Sequence, residues 1–455
     1  MRDLTSGPAG RLVFIFAVPM LIGNLFQQLY NMVDSVVVGQ FVGKDALAAV
    51  GVSFPLLFLL IALVMGMGMG FSILLAQYYG AKNMDGVRRT VETTYIFLFW
   101  ASLAVTAIGL ASGGAILRLL RTPQEILPQA RCYLNILFAG IILLFGYNSL
   151  AAILRGLGDS KTPLYFLIVA TVSNVVLDLL FVLVLHWGVP GVAWATVIAQ
   201  GLSFLLGLLY LRRPELAVLR IRLVGMRFDP QIFRRSIQIG LPSAVQQVLV
   251  ALGMLALSRI VNAYGTNAIA AYTAGTRLET FATMPAMNFA MALSAFVGQN
   301  VGAGRLDRVR RGFFSTLWMS GALALAASAL VILFRAPLIR LFNTDAGVAA
   351  LGARYLAIVA GGYVLFSTMF ITGGLLRGAG DTLTPMLATL VGLWVIRVPA
   401  ATLLSRRLGT DGVWLATPVG WAAGMLLLLS WYAGGRWKRK ALSMGASAAR
   451  RQSHG

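Results

Sequence analysis

The sequence predicts an all-α integral membrane protein with 12 transmembrane helices in two parallel six-helix repeats, both termini being cytoplasmic. Three observations predict this class: a composition that is 58% hydrophobic and 11% charged, long apolar segments, and an internal repeat. An ordinary soluble domain contains about 25% charged residues. The composition therefore excludes a soluble enzyme, and it equally excludes a disordered chain.

Twelve apolar segments are long enough to cross a bilayer, which requires roughly 20 residues per helix. In chain order we predict spans at 12–38, 47–78, 91–112, 133–154, 163–186, 190–211, 237–261, 268–299, 313–334, 353–376, 384–404 and 412–433. An even number of spans places both termini on one side of the membrane.

The distribution of basic residues predicts which side this is. The termini and the even-numbered connections carry 25 Lys and Arg residues, whereas the odd-numbered connections carry 9. Because cytoplasmic loops are enriched in Lys and Arg, both termini are expected in the cytoplasm. The net charge of +22 then reflects orientation against anionic membrane lipids, and no nucleic-acid partner is expected.

Metal and disulfide chemistry is not expected in this chain. Cys132 is the single cysteine, and the two histidines are His186 and His454. No disulfide and no thiolate metal site can form from one cysteine, and a histidine site is equally disfavoured. We therefore expect no cofactor and no resident metal.

Two stretches repeat at a constant offset of 222 residues. The segment QYYGAKNMDGVRR at 77–89 matches QNVGAGRLDRVRR at 299–311 in 7 of 13 positions. The segment RGLGDSKTP at 155–163 matches RGAGDTLTP at 377–385 in 6 of 9 positions. Each copy holds six spans, so both cross in the same sense. Transporters built from such parallel repeats bind substrate between the halves.

The repeat divides the chain into four regions. We predict an N-terminal lobe at 1–211, a basic cytoplasmic linker at 212–235, a C-terminal lobe at 236–435 and a basic cytoplasmic tail at 436–455.

Polar side chains form a stripe on the first span and a shorter one on the fifth. On the first span they lie at spacings of 3, 4 and 3, within about 80° of arc; they are Asn24, Gln27, Asn31 and Asp34. The fifth span carries Thr171, Asn174 and Asp178 at spacings of 3 and 4. Hydrocarbon cannot satisfy such groups, so both stripes must face protein or water.

The first lobe can therefore concentrate oxygen atoms in its core. Its candidate ion-coupling residues are Asp34, Asn148, Asn174, Asp178 and Thr196. Two close carboxylates in a low dielectric cannot both ionise cheaply, so one takes up a proton. The same oxygens could instead hold a transient, dehydrated Na⁺. A static polar network that joins helices is the structural alternative.

The second half lacks these carboxylates, because Asp34 aligns near Leu257 and Asp178 near Ala400. Glu279 could attract a cationic substrate or pair with a neighbouring helix. Methionine suits adaptable binding surfaces, although methionines at these positions could equally be plain packing. The substrate-cavity candidates are Gln27, Asn31, Met65, Met69, Gln246, Gln247, Glu279, Met287 and Met291.

Pro19 and Pro242 stand at matching places inside the first helix of each half. Proline frees a backbone carbonyl and permits a bend, so both are candidate hinges.

The stretch VPMLIGNLFQQLYNMVDSVVVGQFVGKDALAAVG at 18–51, GQNVGAG at 298–304 and the paired RGxGD motifs resemble the multidrug and toxic compound extrusion (MATE) family. The resemblance covers about 12–435. It implies a V-shaped pair of six-helix lobes that exports organic cations and other drugs against inward H⁺ or Na⁺, as a monomer in the plasma (inner) membrane of a prokaryote.

The resemblance also implies roles for individual residues. The aspartate on the family's first helix matches Asp34. One prokaryotic branch uses residues that match Asn148, Asn174, Asp178 and Thr196. Another branch has a carboxylate on the seventh helix, where this chain reads SAVQQVLVAL. That difference places coupling in the first lobe.

Two other functions are compatible with parts of the sequence. A lipid-linked saccharide flippase of the same superfamily would have a more cationic cavity, to which Arg259, Arg277 and Arg397 could contribute. An intramembrane enzyme is the remote alternative. The spans contain no His–Glu zinc motif, no aspartate-rich motif and no Ser–His pairing, so we expect a transporter that is not an enzyme.

The distribution of basic residues makes a testable prediction about topology. A reporter protein fused after Lys440 should be active only in its cytoplasmic form, because 25 basic residues lie on that side and 9 on the other. Activity of a periplasmic reporter at the same position would exclude the twelve-span arrangement.

Overall fold

The computed structural model describes residues 2–119, 122–213, 216 and 225–442. Within these ranges the regular elements are all helical. Most of the predicted linker between 214 and 224, and the tail from 443 to 455, lie outside the described residues.

The helices of the first repeat follow the predicted spans and extend beyond most of them. They are α1 (Ala9–Val37), α2 (Lys44–Gly80), α3 (Met84–Leu119), α4 (Leu127–Ala139), α5 (Ile141–Gly156), α6 (Lys161–Leu179) and α7 (Val189–Tyr210).

The second repeat has the same order of long helices. They are α8 (Pro230–Asn262), α9 (Thr266–Gly302), α10 (Leu306–Leu333), α11 (Arg335–Arg340), α12 (Ala346–Ala360), α13 (Tyr363–Gly378), α14 (Leu383–Thr389), α15 (Val398–Leu408) and α16 (Thr410–Ala433).

Two predicted spans are each formed by a bent pair of helices. The helices α4 and α5 meet at an angle of 52°, and α12 and α13 meet at 47°. Ten single helices of the described chain are long and apolar enough to cross a membrane, and the two bent pairs bring the number to 12. The first bend falls at Gly140, where an added Cβ would lie 2.4 Å from the Val197 side chain. Glycine is therefore required at this bend by close packing.

Three helices change to π-helical geometry. The π-helical segments are Val38–Val42 after α1, Leu180–Val184 after α6, and Leu390–Arg397 between α14 and α15. Single π-turns inside α-helices often occur at functional sites. The first two follow Asp34 and Asp178 within one turn.

The chain folds into two compact units. The first contains Met1–Arg2, Pro19–Leu75 and Asn83–Gln238, and the second contains Asp3–Val18, Ala76–Lys82 and Ile239–Gly455. The helix α1 is thus divided between the units at Pro19, and α8 is divided at Ile239, three residues before Pro242.

The segment before α1 is held by side chains of the second repeat. Leu4 is fully buried; its backbone N–H donates to Gln299 Oε1 at 2.9 Å, and its carbonyl accepts from Asn300 Nδ2 at 3.1 Å. Arg305 donates to the carbonyl of Thr5 at 2.8 Å. These bonds satisfy an extended segment that has no helical partners of its own.

The segment before α8 is held in a comparable way by the first repeat. The backbone N–H of Arg227 donates to Glu92 Oε2, and that of Asp229 donates to Thr93 Oγ1, both at 3.1 Å. The ring of Phe233 packs on Phe97 with ring centroids 5.0 Å apart. The lead-in to the first helix of each repeat is therefore held by residues of the other repeat.

A glycine contact joins the ends of α2 and α9 inside the second unit. An added Cβ on Gly80 would lie 1.9 Å from the Gln299 carbonyl oxygen, and one on Gly302 would lie 1.9 Å from that of Gln77. Because 80 and 302 differ by the repeat offset, the contact is reciprocal. Small residues allow such close backbone approach between membrane helices.

This contact predicts the effect of adding one methyl group. Gly80→Ala should destabilise the protein by about 1–3 kcal/mol, because backbone atoms of α9 must move. The lower stability should be measurable as a lower thermal unfolding midpoint in detergent.

Gly321→Ala is the matched control, since open space surrounds that position in α10. It should be neutral or stabilise the protein by up to about 1 kcal/mol, as expected from helix propensity. Equal midpoints for the two variants would contradict the tight α2–α9 contact.

Candidate functional site: a buried carboxyl pair

The structure brings Asp34 of α1 and Asp178 of α6 together in the first unit, close enough to share a hydrogen bond. Asp178 is fully buried and Asn174, one turn earlier on α6, is 1% exposed. Asp34 lies near the last turn of α1 and Asp178 near that of α6. Both carboxyl groups therefore lie near the C-terminal ends of their helices.

Few other groups satisfy these oxygens. Within the described part of the chain, Asp34 Oδ1, both carboxyl oxygens of Asp178 and both amide atoms of Asn174 are buried and have no hydrogen-bond partner. For the two neighbouring carboxyl groups to form a hydrogen bond, one of them must carry a proton. The site is thus short of positive charge, and a proton or another small cation can supply it.

Two tyrosines border the pair. The phenol groups of Tyr30 and Tyr133 lie within electrostatic range of both carboxyl groups. The Tyr30 hydroxyl also forms a 3.3 Å hydrogen bond with Thr196 Oγ1. Thr196 therefore reaches the site through Tyr30.

Asn148, the remaining predicted coupling residue, donates to the Leu144 carbonyl of its own helix at 2.8 Å. Its amide nitrogen is occupied by that bond, and its role in coupling stays a prediction.

Apolar residues pack beside the site, on the π-helical turns that follow the aspartates. Val37 and Val38 from the end of α1 cluster with Val182 and with Val189 and Val192 of α7. Val38 is fully buried and Val182 is 5% exposed. Such packing excludes water, which strengthens electrostatic interactions at the neighbouring carboxyl groups.

Two other residues of the α1 stripe, Gln27 and Asn31, are exposed in the first unit, whereas Asn24 is half-buried. The methionines match between the repeats. Met65 and Met287 are 46% and 40% exposed, and Met69 and Met291 are both half-buried. Methionines at equivalent positions of the two repeats therefore have similar exposure.

The polar groups of the second unit are engaged differently. The Tyr355 hydroxyl donates to Glu279 Oε2, and Arg397 lies within electrostatic range of the same carboxylate. Gln246 Nε2 donates to Thr389 Oγ1 at 2.7 Å. Gln247 is half-buried. Glu279 thus has a donor and a nearby cation, which the pair in the first unit lacks.

Sequence reasoning missed Tyr30 and Tyr133. A signal for Tyr30 was present, because it precedes Asp34 by four residues and so shares its helix face. Tyr133 has no such local signal: α4 meets the site only through tertiary packing.

Clusters of three or more His, Cys, Asp or Glu residues that could hold a metal are absent from the described residues. A chain of two six-span repeats, with a buried carboxyl pair in one of them, has the architecture of a secondary membrane transporter.

A family model described as MatE matches residues 19–180 and 242–403, one copy in each repeat. The chain belongs to this family of multidrug and toxic compound extrusion transporters. It is a multi-pass protein of the plasma membrane.

Two relatives from Bacillus subtilis (strain 168) match almost their full length. The probable multidrug resistance protein YpnP is 32% identical over 96% of this chain and 97% of its own. The probable multidrug resistance protein YoeA is 33% identical over 95% of each chain. A crystal structure of a MATE protein in complex with MaD3S is 25% identical with a TM-score of 0.89, covering 97% of this chain and 98% of its own.

Contact between the carboxyl groups predicts non-additive effects on stability. Asp34→Asn and Asp178→Asn should each relieve the same unfavourable contact, so the double variant should gain less than the sum of the single changes. We expect an interaction energy of about 0.5–3 kcal/mol, measured from thermal unfolding.

The control combines Asp34→Asn with Asp345→Asn. Asp345 caps α12 through the N–H of Val348 at 2.9 Å and shares no partner with Asp34, so the two changes should add within about 0.5 kcal/mol. Additivity in both pairs would show that the two aspartates do not interact.

Proposed function

We propose that this transporter exports organic, often cationic, compounds by antiport against H⁺ or Na⁺, with Asp34 and Asp178 as the coupling site. The observation that carries the proposal is the contact between two buried carboxyl groups with no compensating cation among the described residues. Such residues are costly to keep inside a membrane protein and are usually functional.

The carboxyl pair can bind H⁺ or Na⁺ for the same reason: either ion compensates its negative charge. One proton between the carboxyl groups supplies the missing positive charge and a hydrogen bond. Sodium would be held by the unpartnered oxygens of Asp34, Asp178 and Asn174. For an uncharged drug, entry of one positive charge contributes about 2.3 kcal/mol per 100 mV of membrane potential, enough for a drug gradient of more than tenfold. Export of a singly charged cation against one ion moves no net charge, so the concentration gradient of the ion drives that exchange.

The position of the carboxyl pair supports entry of the coupling ion from outside the cell. With cytoplasmic termini, the last turns of α1 and α6 lie toward the outer face, so the carboxyl groups are nearer the source of the incoming ion. The valines on the adjacent π-helical turns would limit contact of the occupied site with water.

Ion binding at Asp34 can influence the substrate path through a change in the conformation of α1. Pro19 lies 15 residues before Asp34, about 22 Å along the helix, and the boundary between the two compact units falls there. A change of charge at Asp34 would bias the bend that Pro19 permits. Pro242 would act at the matching place in α8.

Within the first unit, the substrate surface is proposed to combine the exposed residues of the α1 stripe with Met65 of α2. Gln27 and Asn31 offer hydrogen bonds, while Met65 offers adaptable apolar contact. This combination suits compounds of varied shape better than a single rigid ligand.

The decisive experiment measures dye uptake into inverted vesicles, where export from the cell becomes transport into the lumen, driven in turn by a proton gradient and by a sodium gradient. Asp34→Asn mimics the protonated carboxyl group and cannot cycle, so it should reach the membrane folded yet lose gradient-driven transport. Asp178→Asn should be impaired in the same sense. Transport by wild type under one gradient alone identifies the ion.

Glu279→Gln is the matched control, because it also neutralises a carboxylate but one already bonded to Tyr355. It should change the preference among dyes more than the dependence on the ion gradient. Wild-type efflux and ion dependence in Asp34→Asn would refute the first-lobe coupling site.

A further inference from the structure

A cavity of about 570 Å³ opens in the first unit beside α4, where α3 ends and α4 begins. Its lining mixes cationic, polar and apolar groups, including Arg118, Arg131, Cys132, Asn135 and Trp194. Because α3 ends on the side opposite the termini, the cavity faces the outer leaflet in the predicted orientation. It is separate from the carboxyl pair, toward which α4 directs Tyr133.

The two arginines of this cavity lack acidic partners. Within the described residues, the ion pairs within 4.0 Å involve neither Arg118 nor Arg131. Both side chains are exposed, so their charges are open to an incoming anion. Guanidinium groups bind phosphate oxygens with paired, directed N–H donors.

The position of Arg131 depends on a glycine. Its Nε lies 3.4 Å from where a Cβ of Gly114 would stand, so the guanidinium group lies across the α3 backbone. One turn deeper, Gly109 and Gly113 receive the ring of Phe138. The two helices are therefore tightly packed below the cavity and hold Arg131 at its edge.

Comparison with the second repeat shows that this charge is specific to the first. Arg354, one residue from the position equivalent to Arg131, pairs with Asp411 at 3.1 Å. The residue equivalent to Asp411 in the first repeat is Val189. The first repeat thus keeps the cation and lacks the acid that would neutralise it.

The rest of the lining favours a lipid. Asn135 Oδ1 is buried and accepts no hydrogen bond from the described residues, so it can receive one from a ligand hydroxyl. Leu127, Ile136 and Ala139 are apolar. Trp194 is 41% exposed, as tryptophans at the membrane–water interface commonly are.

The geometry points to a binding site for the head group of an anionic phosphodiester lipid that carries hydroxyl groups, such as phosphatidylglycerol. Its phosphate lies between Arg118 and Arg131, its glycerol hydroxyl donates to Asn135, and its chains leave along the apolar wall. A cationic drug would be repelled by the two arginines, and a free phosphate ion would leave the apolar wall unused.

The single cysteine provides a direct test, because Cys132 lines the cavity and is half-buried. The full chain is reconstituted in vesicles of phosphatidylcholine alone, of equal parts phosphatidylcholine and phosphatidylglycerol, and of phosphatidylcholine with added inorganic phosphate. The rate of Cys132 alkylation by uncharged N-ethylmaleimide is measured in each. Phosphatidylglycerol should slow it about tenfold, as for a lipid at ten times its Kd.

Arg118→Gln/Arg131→Gln should abolish this protection. Arg335→Gln/Arg340→Gln removes the same charge from the corresponding connection of the second repeat and should leave the protection intact. Gly114→Leu would displace the Arg131 side chain and should weaken protection without removing a charge. This variant provides an alternative test if the double variant folds poorly.

Three outcomes would overturn the proposal. Equal alkylation rates with and without phosphatidylglycerol would exclude an occupant of the cavity. Protection could survive in Arg118→Gln/Arg131→Gln or be lost in Arg335→Gln/Arg340→Gln. Either result would indicate an effect of surface charge alone. Equal protection by inorganic phosphate would show an anion site that does not select lipid.

Discussion

The structure depends on one constraint: the bilayer core offers no hydrogen-bond partners, so the protein must satisfy every polar group itself. Many side-chain hydroxyls of the spans do so locally, as Thr90 and Thr316 do by donating to the carbonyl four residues earlier. Against that background the carboxyl pair is an exception. Asp178 is buried and Asp34 is half-buried, and Asp34 Oδ1 and both carboxyl oxygens of Asp178 have no hydrogen-bond partner among the described residues.

The two repeats share a sequence of helices but differ in the charged groups that they carry. Asp159 and Asp381 occupy equivalent positions of the paired RGxGD motifs. Asp159 accepts hydrogen bonds from its own loop, whereas Asp381 is buried and binds Lys440 and Trp431. The carboxyl pair and the unneutralised Arg131 are likewise confined to the first repeat. Equivalent helices of the two repeats thus carry different charges. A transporter needs this difference if only one half binds the coupling ion.

The two repeats are also joined by exchange of their lead-in segments. The chain before α1 is held by Gln299 and Asn300, and the chain before α8 is held by Glu92 and Thr93. Each first helix therefore begins among residues of the other repeat and crosses to its own unit close to a proline. The hydrogen bonds therefore fix the backbone on the N-terminal side of each of these prolines.

The sequence by itself determined the helical membrane class, the twelve spans, the repeat and the family, because apolar length, a fixed offset and short motifs are local or periodic signals. Helix-face spacing also predicted Asp34 and Asp178 as a pair of polar residues inside the first repeat. Only the tertiary structure decided that these two carboxyl groups touch, that Tyr133 borders them, that Asn148 bonds to its own helix, and that Arg131 lies over Gly114 beside a cavity. Those facts depend on how separate helices rotate and approach one another, and packing between distant segments sets those angles and distances.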